Sequence, residues 1–195
     1  MDRILKILFC VLLFGIARAE LNGAALEAYL QAQRLYSEAI SSSAGSMSNL
    51  KLEVWLKVID AASSAVTLAP KEPEPLLLRA QVFTRIQLWI KADTAWKAYF
   101  ALTEGSVASR ALMATVQFEL ALKAREAKKL NEAIGFLEQA VFYNPQKQKA
   151  WSLLGRSRYE AGRFALASEA CLRALELNPN DQTAIYYLKL ARAKL

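Results

Sequence analysis

The stretch that decides the fold runs from Gln148 to Asp181, QKAWSLLGRSRYEAGRFALASEACLRALELNPND. Two apolar-periodic segments flank Gly162, and Asn178-Pro179 closes the second, since proline cannot continue a helix and holds the residue before it extended. The stretch has a partner upstream: Pro145 and Pro179 lie 34 residues apart, as do Ala140 and Ala174, and Ala133 and Ala167. A period of that size marks a supersecondary unit used repeatedly, each copy needing its neighbours to bury its apolar face.

Within the 148–181 copy, Trp151, Leu154, Gly155, Tyr159, Gly162, Phe164, Ala167, Ala174, Leu175 and Pro179 stand at the signature spacings of a tetratricopeptide repeat, which the segment resembles. The resemblance implies a helix hairpin with a role for each. Gly155 and Ala167 are small where the two helices touch, Gly162 turns the chain, and Trp151 and Leu154 fill the space between the pair. Asn180 or Asp181 caps the next helix.

The pattern fades upstream. The 114–147 copy keeps Leu120, Ala121, Ala133, Leu137, Ala140 and Pro145, with Gln117 in place of the aromatic and Lys128 where the turn glycine would be. The 73–106 copy keeps Leu76, Ala80, Phe83, Ala92 and Trp96. Seven extra residues, Val107–Met113, amount to about two helical turns and predict a lengthened helix over 107–128. The first pair, near 22–41 and 49–68, is the least regular and encloses the polar run Ser41–Ser48. The expected architecture is all-α: a solenoid of four hairpins over 20–195 with a ninth helix, about 181–194, as cap.

Residues 1–19 read differently. Arg3 and Lys6 precede an apolar run from Ile7 to Ala17, and Ala17-Arg18-Ala19 offers small residues for cleavage before Glu20. This is the pattern of a secretory signal peptide, and eleven residues fall well short of the ~20 that span a bilayer. An uncleaved anchor is the alternative. Export to the periplasm is the expectation.

Composition bounds the chemistry. Of 195 residues 54% are hydrophobic, which excludes a disordered chain, and seven glycines and five prolines are too few for a many-stranded fold. No histidine is present, which removes His-based triads and metal sites. Without Arg3, Lys6, Arg18 and Asp2, 22 basic residues face 17 acidic ones, dispersed along the chain. That pattern does not point to nucleic acid. Cys171 then has no intramolecular partner and lies on an apolar stripe with Ala167, Ala174 and Leu175, as a buried thiol would. Glu72 and Glu74 flank Pro73 in a turn and read as helix-start charges rather than an acid–base pair. No cofactor, metal or small-molecule substrate is expected, and the chain is not expected to be an enzyme.

The resemblance implies instead a concave groove lined by the first helix of each hairpin. Carried over by position, it comprises Leu77, Gln81 and Thr84; Phe118, Leu122 and Arg125; Ser152, Arg156 and Tyr159; and Tyr186. The lysine–asparagine pairs with which some members grip a terminal carboxylate are replaced by Phe118 with Leu122 and by Ser152 with Arg156, so that specificity does not carry over. The implied function is a non-catalytic adaptor of the bacterial envelope that holds an apolar or acidic segment of another exported or membrane protein. Two alternatives remain open at this point: an accessory or regulatory subunit of an envelope enzyme or assembly complex, and a glycan- or lipid-surface binder. The last of these rests on Trp55, Trp89 and Trp96, whose helical spacing favours the core.

Overall fold

The computed structural model describes Leu21, residues 23–42 and residues 52–195. The signal-peptide reading of residues 1–19 and most of the Ser41–Ser48 run lie outside the described residues. Among those described, nine α-helices and no strands are present: α1 Gly23–Ser42, α2 Leu52–Leu68, α3 Pro73–Arg85, α4 Trp89–Phe100, α5 Val107–Glu126, α6 Leu130–Tyr143, α7 Gln148–Glu160, α8 Phe164–Leu177 and α9 Gln182–Arg192. They fall into two compact units divided after Glu104.

In the first unit α1 pairs with α2 and α3 with α4, and α2 packs on α3. Small residues on the facing stripes let the helices approach: Ala32 and Ala39 of α1 meet Val58, Ala62 and Ala65 of α2, with Leu78 and Val82 of α3 closing the cluster. Trp55 packs edge-on against Tyr36 with ring centroids 6.0 Å apart. Trp96 is fully buried in the second hairpin, where its indole N–H donates to Thr84 Oγ1 at 2.9 Å. Trp55 and Trp96 are therefore core residues, and Trp89 is half-buried. Proline at the first position of α3, with Glu74 in the first turn, starts that helix as the Lys71–Pro75 run predicts.

In the second unit α5 pairs with α6 and α7 with α8, α6 packs on α7, and α9 packs on both α7 and α8. Helix α5 has the predicted extra length, beginning where Ser106 Oγ accepts the Ser109 N–H. The added turns carry Ser109 and Met113 into the interior. At Gly155 the α7 and α8 backbones meet: a Cβ there would overlap Cys171 Sγ and lie 3.2 Å from Cys171 N and 3.3 Å from the Ala167 carbonyl. Cys171 is fully buried at this crossing, and burial, with the Asp181 charge nearby, pushes its thiol up to about 11. It is an inert structural thiol, as the apolar stripe predicts.

Three hairpin turns share one construction. The second helix of each begins after a residue in the left-handed region: Gln87 (φ 59°), Lys128 (φ 60°) and Gly162 (φ 75°). In each case that residue's N–H bonds a carbonyl three back, and the next N–H reaches five back, as in Lys128 to Arg125 and Lys129 to Ala124. This is the Schellman closure of a helix end. The first two turns hold a residue with a Cβ where glycine is relaxed, at a cost of about 1 kcal/mol or more. Lys128→Gly should therefore raise stability by up to about 1 kcal/mol, after glycine's greater unfolded-state freedom takes back part of the gain. A urea midpoint that falls instead would show the lysine side chain to be contributing something the turn needs.

The exits between hairpins repeat as well. Asn144 and Asn178 are extended before their prolines, and each side-chain oxygen accepts the N–H two residues on, at 3.0 and 3.1 Å. Asp181 caps α9, accepting from Thr183 and Ala184. Helix α9 repeats the register of α7 at the 34-residue period. Ala184 and Leu188 are buried like Ala150 and Leu154, and Lys189 stands, exposed, where α7 has Gly155.

Candidate peptide-binding cleft

Stacking the second unit's hairpins sets α7 between α5 on one side and α9 on the other. Side chains on the exposed face of that layer enclose an open cleft of about 390 Å³. Phe118 and Leu122 of α5 form one wall. Ser152, Leu153 and Arg156 of α7 form the floor with Gln148 and Lys149, and Asn178 at the end of α8, with Asp181 and Thr183 at the start of α9, closes the far side. Phe118 and Leu122 fall one turn apart on one stripe, as do Ser152 and Arg156, so two short sequence spacings produce a continuous surface once the hairpins stack.

Four of the ten residues expected from sequence, Phe118, Leu122, Ser152 and Arg156, thus share one cleft. Phe118 and Leu122 are half-buried and Ser152 is buried. Arg125 and Tyr159 lie beside it and hold the helices in place. Arg125 donates to Ser157 Oγ at 2.6 Å and pairs with Glu160 at 2.8 Å, bridging α5 to α7. Tyr159 sits between Phe164 and Tyr187, with ring centroids 5.4 and 5.6 Å away. Tyr186 is exposed on α9 and is absent from the cleft's walls. Leu77, Gln81 and Thr84 lie on α3 of the first unit. The first two are half-buried, and the Thr84 hydroxyl, besides accepting from Trp96, donates to the Ala80 carbonyl at 2.7 Å.

The two arginines share a carboxylate. Arg156 Nε bonds Glu160 at 2.7 Å, and its guanidinium lies 5.8 Å from the Tyr187 ring centroid. Burial pushes the Glu160 carboxyl up, but hydrogen bonds from Arg125 and Arg156 outweigh it and hold the group below the ordinary range. The Glu160 bond in turn raises Arg156. Two cations and one anion leave one net positive charge there.

Sequence spacing missed a cation beside the cleft. Lys147, at the N-cap position of α7, carries its ammonium to 5.3 Å from the centroid of the Phe118 ring. The Gln148 side-chain amide donates to the Asp181 carboxylate, tying α7 to α9. The 34-residue period was the available signal, since it aligns Lys147-Gln148 with Asp181-Gln182. On the outer surface of α8, Glu169 and Arg173 edge a second opening of about 520 Å³ beside Trp151. Among the described residues no group of three or more Cys, Asp or Glu is arranged to hold a metal, and no helix is long and apolar enough to cross a membrane.

Against known families, residues 124–193 match the tetratricopeptide repeat model. This part of the chain carries tetratricopeptide repeats. The match spans the end of α5 through α9, the part of the chain that holds most of the cleft. Solved structures with the same fold include a MamA protein, 18% identical with a TM-score of 0.53 over 84% of this chain and 82% of that one. A MamA fragment from Desulfovibrio magneticus RS-1 is 16% identical, with a TM-score of 0.50 over 84% and 85%. YrrB, described as a tetratricopeptide repeat protein with an unusual peptide-binding site, is 14% identical, with a TM-score of 0.50 over 88% and 83%. At these identities the likeness is one of fold. It extends the repeat architecture across most of the chain, beyond the segment that the family model matches.

Proposed function

We propose that this tetratricopeptide repeat protein is a non-catalytic adaptor of the bacterial envelope, seating an extended segment of another exported or membrane protein in the cleft of its second unit. The observation that carries this reading is the cleft itself: an open trough lined by Phe118, Leu122 and Leu153, with Lys149 in its floor and the Lys147 ammonium over the Phe118 ring. Such a surface suits a peptide with apolar side chains and acidic character. The envelope assignment is supported by the charged start, short apolar run and small-residue exit of residues 1–19.

Two measurements test the two halves. Mass spectrometry of the protein from its native cell should find Glu20 at the amino terminus, and an intact Met1 form in the cytosol would refute export. Screening the purified chain against immobilised decapeptides from exported and membrane proteins should select apolar-acidic sequences. A Phe118→Ala, Leu122→Ala variant should lose them.

A further inference from the structure

Lys147 is placed oddly for a residue at a helix start, where cations are disfavoured by the backbone dipole. Its Nζ donates to Thr115 Oγ1 at 3.2 Å and hangs 5.3 Å from the centre of the Phe118 ring. The residue is only half exposed, and no carboxylate among the described residues lies within 4.0 Å of its Nζ. Burial, the largest influence, pushes its ammonium below the ordinary lysine range, and attraction from Glu119 on α5 opposes this only in part, with Lys149 adding to the depression. A desolvated cation without an anion is costly, and here it lies beside the aromatic wall of the cleft.

Resting on the peptide-binding reading above, we infer that Lys147 is the specificity-determining residue of the cleft and selects a carboxylate placed next to the ligand's apolar anchor. The ring supplies the surface for an apolar side chain, and the ammonium over the ring supplies the charge for a neighbouring one. An extended peptide advances about 3.3 Å per residue. A 5.3 Å offset therefore places the acid one or two residues from the anchor. The carboxylate gives the ammonium a charge-assisted hydrogen bond that the chain itself does not provide. Lys149, exposed on the cleft floor, adds long-range attraction and acts on association more than on selection.

The test uses the full chain and labelled decapeptides in a Ser/Ala background. Each carries one central leucine and a glutamate one or two positions to either side, and each is paired with its glutamine counterpart. Fluorescence anisotropy should show the best glutamate peptide binding at least about tenfold tighter than its glutamine twin. Lys147→Met, which keeps an apolar stem over Phe118, should reduce that preference to less than about twofold while leaving the glutamine peptide's affinity unchanged. Lys147→Arg should keep part of the preference, and Lys149→Met should keep all of it. Circular dichroism melting of each variant confirms that the fold is intact. If peptides bind with no glutamate preference, or if the preference survives Lys147→Met, the assignment of Lys147 is wrong although the cleft still binds. If no peptide of either kind binds, the cleft reading itself falls and takes this inference with it.

Discussion

Replacing Gly155 with leucine should destabilise the second unit by about 3 kcal/mol or more, at the upper end of what overpacking costs. At this chain length that corresponds to a melting temperature lower by roughly 6–12 °C. The magnitude reflects what a side chain would meet. Two of the three nearest groups, Cys171 N and the Ala167 carbonyl, are backbone, so relief requires moving a whole helix. Only the third, Cys171 Sγ, belongs to a side chain. Gly155→Ala should accordingly cost less in a Cys171→Ala background than in the parent, with a coupling of about 1 kcal/mol. An unchanged denaturation midpoint for Gly155→Leu would mean that α7 and α8 do not cross at this residue.

Removing the apolar wall should have the largest effect on binding. Phe118→Ala with Leu122→Ala should raise the dissociation constant of any peptide selected by the chain by at least about 30-fold, since truncating one central anchor costs about 2 kcal/mol. Both residues are half-buried and only Phe118 packs against the core cluster, at its edge, so the melting temperature should fall less than for Gly155→Leu. Tyr159 is unsuitable as a binding probe because it packs between Phe164 and Tyr187. Its truncation would loosen α8 and α9 along with any ligand. Gln139→Ala, on the exposed face of α6, is the control. Binding that survives the double variant would move recognition away from the cleft.

Helices and their ends were legible because they depend on local chemistry. Pro145 and Pro179 mark the exits, and the surplus of Val107–Met113 extends α5 instead of making a loop. Gly155 was legible because only a residue without a Cβ fits a backbone crossing. The turns at Gln87 and Lys128 were harder to read, since their left-handed residues are not glycine and the closing hydrogen bonds come from backbone, which any side chain permits. In the cleft, the positions carried over from the family resemblance include Phe118, Leu122, Ser152 and Arg156. The resemblance did not predict that Arg125 and Arg156 would share Glu160, or that Lys147 would lie over Phe118. Those depend on the reach and rotamer of long side chains across stacked hairpins, which residue spacing leaves open.

Lys189 bears on what the exposed face of α9 can accept. Helical repeat stacks are prone to growth by addition, because each unit's end resembles the surface its neighbour was built to cover. Helix α9 copies α7 closely enough to invite such a guest, with buried Ala184 and Leu188 in register with Ala150 and Leu154. A guest helix seated as α8 is on α7 would have to pass over position 189, where a four-carbon stem and an ammonium replace the bare backbone of a glycine. It would be held off sterically and would trap an unpaired charge if forced down. Lys189 therefore opposes a further hairpin helix seated on α9 in the manner of α8 on α7, an obstacle that exchanging it for glycine would remove.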